Sequence, residues 1–306
     1  MVAAPVLALV GPTASGKSEA GVVVAEALGA QIVSVDSMLV YRGMNVGTAK
    51  PGPELRARVR HHLVDVAEPE DPFTVAEYQR MARAALAGIA ERGARALLVG
   101  GSGLYFRAVV DDLRFPGTEP DARRQLEAEA TILGPGRMYA RLAAMDPVAA
   151  GKIQPGNVRR TVRALEVAAV TGRPFSSYAE GWARYAEDRV RVGGIDIPRP
   201  VLAARIEVRV REMLERGFLD EVRGLVHRGL GEWLTASQAI GYAEFTRHLA
   251  GELTLDEAIE ATVKRTRVLA KRQLAWFRRD PRIRWFPAGE GGAMEIIEEI
   301  VEYLKG

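Results

Sequence analysis

The sequence predicts an α/β fold, a doubly wound parallel sheet carrying a small all-helical insertion. Three observations lead there: apolar runs that stop at small or polar residues, helical stretches between those runs, and a glycine-rich turn straight after the first run. The runs are Val6–Val10, Gln31–Val35 and Ala94–Val99, apolar enough to be strands covered on both faces. Helical patterning over Ser18–Leu28, Thr74–Arg92 and Leu104–Asp111 supplies the β–α alternation. Open sheets of this kind bind ligands beyond the carboxyl ends of their strands, so the three strand ends are expected to meet around one site.

The first element fixes the type of sheet. Gly11-Pro12-Thr13-Ala14-Ser15-Gly16-Lys17-Ser18 fits G-x-x-x-x-G-K-[ST], with the strand Val6–Val10 before it and a helix-compatible stretch behind. Glycines let backbone N–H groups close around phosphate oxygens, and a helix N-terminus adds partial positive charge. Lys17 supplies a full charge, and the Ser18 hydroxyl is the expected Mg²⁺ ligand. The core is therefore expected to be P-loop NTPase-like. The start, Met1 to Val10, lacks a basic region and reads as a buried strand rather than a signal peptide.

The second element sits at the end of Gln31–Val35. Asp36 there faces the loop across the sheet, and its position suits three roles: a general base, a carboxylate acting on Mg²⁺ through water, or a cap for the following turn. Met44 to Pro51 reads as a polar loop offering a second lysine, Lys50. The third strand ends in Gly100-Gly101 rather than in an acid, so the usual Walker-B carboxylate is missing there. The two asparagines, Asn45 and Asn157, stand outside any Asn-Lys-x-Asp motif, which argues against a regulatory GTPase. His61-His62 are neighbours without cysteine or a spaced acid nearby, so they do not suggest a metal site.

After Phe115-Pro116-Gly117 the pattern changes. Residues 118–192 read as a helical insertion with breaks at Gly134-Pro135-Gly136, Asp146-Pro147 and Gly151 to Gly156. The core is expected over 1–117 and 193–306, with Gly193 to Pro200 as the return and long helices near Val201–Arg216, Leu219–Arg228 and Leu255–Arg278.

The 306 residues, 48% hydrophobic and 26% charged, suit a globular chain; no apolar stretch reaches the ~18 residues that span a bilayer. The absence of cysteine excludes disulfides and thiolate metal sites and fits a cytoplasmic enzyme. Net charge is only +3, yet Lys264 to Arg284 holds nine basic residues against one acid, Asp280, which points to a polyanionic partner such as nucleic acid.

Further segments accompany the phosphate loop in order: Asp36-Ser37-Met38-Leu39-Val40-Tyr41-Arg42-Gly43-Met44, Gly47-Thr48-Ala49-Lys50-Pro51, Val99-Gly100-Gly101-Ser102-Gly103-Leu104-Tyr105-Phe106, Arg163-Ala164-Leu165-Glu166-Val167, Ala239-Ile240-Gly241-Tyr242 and Thr266 to Trp276. Together they cover nearly the whole chain and closely resemble the tRNA dimethylallyltransferases (tRNA isopentenyltransferases) of bacterial type, with no zinc-finger extension after Gly306.

The resemblance implies transfer of a dimethylallyl group from dimethylallyl diphosphate to N6 of adenosine 37 beside the tRNA anticodon, with Mg²⁺. It implies that Asp36 is the base, that Arg209 helps hold the diphosphate, and that Gly11 to Ser18 cradle it. It places tRNA contacts at Asp36, Ser37, Met38 and Leu39, at Ser102 and Arg124, at Arg159, Arg160 and Arg163, and at Gln238, Gly241 and Tyr242. A cytoplasmic monomer binding the anticodon stem-loop, with no membrane partner, is expected. An ATP-dependent small-molecule kinase shares the loop and the strand-end Asp but leaves the basic stretch without purpose. An RNA-binding module with a vestigial loop leaves Lys17, Ser18 and Asp36 unexplained.

Overall fold

The computed structural model describes residues 5–111, 113–185 and 189–306, which fall into two compact units. The first comprises the described residues of Met1–Val110 and Ala186–Gly306, the second those of Asp111–Tyr185.

The first unit opens with β1 (Val6–Val10), α1 (Lys17–Leu28), β2 (Ala30–Val35), α2 (Pro53–Arg58), β3 (His61–His62), α3 (Val75–Glu91), β4 (Arg95–Gly100) and α4 (Gly103–Val110). The second unit holds α5 (Pro120–Met145), α6 (Pro147–Ala150), α7 (Val158–Thr171) and a 3₁₀ stretch over Phe175–Ala183. The chain then returns through β5 (Val190–Asp196), α8 (Arg199–Glu215), α9 (Phe218–His227), α10 (Tyr242–Leu249), α11 (Leu255–Phe277), β6 (Ile283–Pro287) and α12 (Ile297–Lys305).

The strands form a parallel six-stranded sheet in the order β3-β2-β4-β1-β5-β6. Its two faces bury alternate residues, as a period of two requires: Ala8 and Val10 enter one apolar cluster, Leu7 and Leu9 the other. Each valine or leucine side chain so removed from water contributes roughly 1.5–3 kcal/mol, so the central strands hold the sheet rigidly beneath its carboxyl edge. Helix boundaries follow local chemistry. Gly16 (φ 83°) and Gly29 (φ 58°) adopt left-handed backbone at the two ends of α1, which glycine enters without a Cβ clash. Thr74 and Thr254 cap α3 and α11 by accepting the N–H of Glu77 and Glu257.

The expected boundaries of the insertion shift. Val190–Val192 belong to β5 and pair with Val6–Ala8 of β1, so the helical unit lies over Asp111–Tyr185 rather than 118–192. Its own core is Leu126, Met138, Leu142, Val162 and Leu165 with their neighbours. The expected break at Gly134 is a kink within α5, where that glycine has φ 78° and ψ 165°. Among the described residues, no helix is long and apolar enough to cross a membrane.

Candidate active site

The carboxyl ends of β1, β2 and β4 meet as the sequence predicts. The backbone of β2 comes so close to β4 that a Cβ on Gly100 would lie 2.0 Å from the carbonyl oxygen of Val35, and one on Gly101 would lie 2.5 Å from Nε2 of Gln273. The absent Walker-B acid has a steric reason here, since this strand end has no room for a side chain.

The phosphate loop is held from three sides. Gln273 of α11 accepts the Thr13 N–H at 2.8 Å. Arg205 of α8 donates from Nε to the Ala14 carbonyl at 2.9 Å and from Nη1 to the Glu290 carbonyl at 2.7 Å. The N–H of Ala293 donates to the Ser15 carbonyl at 3.0 Å. Ser15 Oγ is buried without a partner in the loop, a spare polar atom of the kind a bound anion satisfies.

Lys17 donates to the Pro12 carbonyl at 3.1 Å. Its side chain is half-buried, and loss of hydration lowers its pKa to about 8, against the attraction of Asp36 and with the repulsion of Arg209. Burial likewise lowers the pKa of Arg209, while Asp36 and Glu212 act to raise it. Two desolvated cations thus sit with one carboxylate, an arrangement suited to an incoming polyanion.

Two adjoining cavities make up the site. An open cleft of about 520 Å³ is lined by Lys17, Ser18, Arg205, Arg209 and Arg216 on its charged side, with Leu55, Val208 and Met213 supplying apolar wall. A chamber of about 70 Å³ is lined by Thr13, Lys17, Ser18, Ser34, Asp36, Thr48 and Arg209. Asp36 Oδ1 accepts the Met38 N–H at 2.8 Å, which orients the carboxylate through a turn and leaves Oδ2 for other chemistry. Two oxygen groups suited to Mg²⁺, the Ser18 hydroxyl and the Asp36 carboxylate, line this chamber. Such a set is adequate only when phosphate and water complete the shell, the usual arrangement for this ion.

The profile of a family described as IPP transferase matches residues 39–280. A tRNA dimethylallyltransferase of Streptomyces coelicolor is 50% identical over 291 residues, covering 95% of this chain and 93% of that protein. The chain belongs to the IPP transferase family. A second tRNA dimethylallyltransferase, from Kineococcus radiotolerans, is 49% identical over 98% of this chain and 96% of its own length. The solved full-length tRNA isopentenylpyrophosphate transferase of Bacillus halodurans has TM-score 0.69 at 38% identity, covering 98% of this chain and 97% of that one. A eukaryotic dimethylallyltransferase, solved acting on tRNA, has TM-score 0.79 at 25% identity over 94% of this chain and 75% of that one.

Within this family framework several sequence-derived assignments change. Lys50 is not an available lysine: its three N–H groups go to the Tyr41 carbonyl (2.6 Å), Asn45 Oδ1 (3.0 Å) and Asp65 Oδ1 (2.6 Å). Tyr242 is 0% exposed and donates its hydroxyl to Glu221, so its side chain cannot meet an RNA. Gly241 is buried too, and Leu39 forms chamber wall, whereas Gln238 is exposed and Ser37, Met38 and Ser102 are half-buried.

In the helical unit, Arg163 donates to the carbonyls of Pro116 (2.7 Å) and Gly117 (3.2 Å) and pairs with the buried Glu166 at 2.9 Å. That guanidinium is occupied in holding the entry of the unit. Arg159 and Arg160 are exposed on α7, and Arg124 is exposed and ion-paired with Asp121. The basic stretch is also partly neutralised: Arg265 pairs with Glu244, Arg267 with Glu207, Arg278 with Asp196 and Arg282 with Asp280. Lys264, Lys271 and Arg272 are exposed.

Sequence reasoning passed over Arg205, Gln273 and Glu221. Gln273 lies inside the recognised Thr266 to Trp276 segment, and Arg205 lies about one helical turn before Arg209 on α8. Nothing in their spacing signalled a bond to a loop 260 or 191 positions away.

Proposed function

We propose that this chain transfers a dimethylallyl group from dimethylallyl diphosphate to N6 of adenosine 37 beside a tRNA anticodon, releasing diphosphate. The observation that carries this reading is the shared chamber: the residues that would hold a polyphosphate, Thr13, Lys17 and Ser18, line the same small space as Asp36. Its close relatives, named tRNA dimethylallyltransferases, support the same reaction.

The exocyclic amine of adenine is a weak nucleophile. As its nitrogen bonds to C1 of the donor, the C1–O bond breaks and a proton must leave N6. Asp36 is the carboxylate positioned to accept it, through the oxygen not engaged by Met38. The diphosphate gathers negative charge as it departs, and Lys17, Arg209 and the loop N–H groups offset that charge in a water-poor space, where each interaction is strong. Ser18 would hold Mg²⁺, with water and the diphosphate completing the shell, and the ion would supply charge neutralisation at the diphosphate. The apolar side chains of Leu55, Val208 and Met213 would shelter the isoprenoid. The base must leave its stack to enter a chamber this small, and an unpaired anticodon loop allows that at low cost.

The test mixes protein, Mg²⁺, dimethylallyl diphosphate labelled in the prenyl group and unmodified tRNA. Label is expected in the RNA. Transfer of the γ-phosphate of ATP to a small molecule, without RNA labelling, would replace this reading with a kinase.

A further inference from the structure

The wall between the cleft and the chamber is a short loop with an unusual anchor. Thr48, Ala49 and Pro51 line the chamber, and Ala49 and Pro51 line the cleft as well. A donor in the cleft and a base in the chamber would react beside this wall. The loop does not hold its shape through sheet or helix. Ala49 has φ 49°, a left-handed backbone that a residue with a Cβ enters only at a cost.

Glu221, in the first turn of α9, is what the loop is fastened to. Its Oε2 accepts the N–H groups of Asn45 (2.9 Å) and Val46 (2.8 Å), and its Oε1 accepts that of Gly47 (3.2 Å). Three consecutive backbone N–H groups around one carboxylate form an anion-holding nest. The Tyr242 hydroxyl adds a fourth bond to Oε1 at 2.6 Å, and it is the buried position of Tyr242 that makes this possible. Gly47 then packs directly on the rings of Phe218 and Tyr242, where an added Cβ would lie 2.2 Å and 2.6 Å from ring carbons. The far end of the loop is secured by Lys50.

We infer that Glu221 is a positioning residue that seats the Asn45–Pro51 wall and so keeps water away from C1 of the donor while the C1–O bond breaks. The inference rests on the prenyl-transfer reading above. With the wall displaced, water competes with N6. Its oxygen bonds to C1, the C1–O bond to diphosphate breaks, and the proton passes to Asp36 or solvent, giving dimethylallyl alcohol and diphosphate. Glutamine at position 221 would keep the size of the side chain but lose the second acceptor oxygen, and its NH₂ would face N–H groups.

The experiment measures three products in single turnovers with tRNA, Mg²⁺ and prenyl-labelled donor: prenylated tRNA, labelled alcohol and diphosphate. The proteins are wild type, Glu221→Gln, Gly47→Ala and Tyr242→Phe, each checked by thermal melting. For wild type, about one diphosphate is released per prenyl group on tRNA. For Glu221→Gln, transfer to tRNA is expected to fall at least about tenfold and the ratio of diphosphate to tRNA product to rise to about two or more, with donor Kd changed less than about threefold. Gly47→Ala should show the same uncoupling with Glu221 intact, so it decides the matter if Glu221→Gln does not fold. Tyr242→Phe, which keeps the three backbone bonds, should uncouple least. Folded variants that slow without extra alcohol, or that keep wild-type coupling and rate, would overturn the inference. A wild type that transfers no label to tRNA would instead overturn the prenyl-transfer reading.

Discussion

The guanidinium of Arg205 donates to the carbonyl of Ala14 at 2.9 Å, joining α8 to the phosphate loop across 191 positions of sequence. The same group holds the Glu290 carbonyl at 2.7 Å, so one side chain ties together the loop, the long helix and the C-terminal segment. Arg205→Gln should therefore loosen the loop. Charged hydrogen bonds of this kind contribute about 1.5–3 kcal/mol, which sets an expected fall of roughly 10–100-fold in kcat/KM for the donor. Steady-state kinetics check this, with tRNA Kd measured alongside and expected to stay unchanged.

Lys17 makes donor binding depend on pH. Its pKa of about 8 in the free protein lies below the ordinary 10.5 because burial disfavours the charge, and a bound diphosphate would favour that charge again. Below pH 8 the ammonium is already protonated. Above it, binding must draw a proton from solution, so donor affinity should decline by up to about tenfold per pH unit as pH rises. Calorimetry in buffers of different ionisation enthalpy should register proton uptake above pH 8. Lys17→Ala should remove that pH dependence and cost about 3 kcal/mol or more in kcat/KM.

Asp36→Asn separates the roles open to this carboxylate. Loss of a general base lowers kcat by roughly 10²–10⁴ with both substrates still bound. A role through Mg²⁺ would instead show as weakened donor binding that added Mg²⁺ restores. Single-turnover rates titrated with Mg²⁺ are expected to show no restoration.

Lys264, Lys271 and Arg272 are exposed on α11 and take no part in the ion pairs occupying Arg265, Arg267 and Arg278. Replacing these three by glutamine should weaken tRNA binding and reduce its salt slope by about 0.7–0.9 for each RNA phosphate no longer neutralised. Donor affinity should not move. An unchanged slope would mean that this face is ordinary solvated surface.

Lys50→Met tests a structural role. It would leave the Tyr41 carbonyl and Asn45 Oδ1 without the ammonium, while Arg56 still pairs with Asp65 at 2.7 Å, so the expected cost is about 1–3 kcal/mol. Denaturant unfolding should show that loss.

What was legible in the sequence was local. β1, β2 and β4 announced themselves as apolar runs, and α1 and the loop followed from one motif. β6 was hidden because Ile283, Trp285 and Phe286 lie among arginines, and the run reads as charge. In the structure the Arg284 guanidinium lies 5.2 Å from the Phe286 ring centre and 5.0 Å from that of Tyr303, covering apolar surface with its stem. β3, two residues long, carries too little pattern to be read. The supports of the site were illegible for another reason. Glu221 meets Asn45 from 176 positions away and Gln273 meets Thr13 from 260, and periodicity carries no information about pairs so distant. Lys50 and Arg163 fail to read as fasteners for a different reason: their partners are near in sequence, 9 and 47 positions away, but are backbone carbonyls, which no residue pattern marks.

Carbon transfer to one adenosine is checked by mapping the prenyl group on the product RNA. Unmodified tRNA is incubated with the protein, Mg²⁺ and prenyl-labelled dimethylallyl diphosphate, then digested and sequenced by mass spectrometry. One prenyl group on N6 of adenosine 37 is expected, with one diphosphate released for each. Unlabelled RNA, or label spread over other positions, with the protein folded and the donor bound, would contradict that expectation.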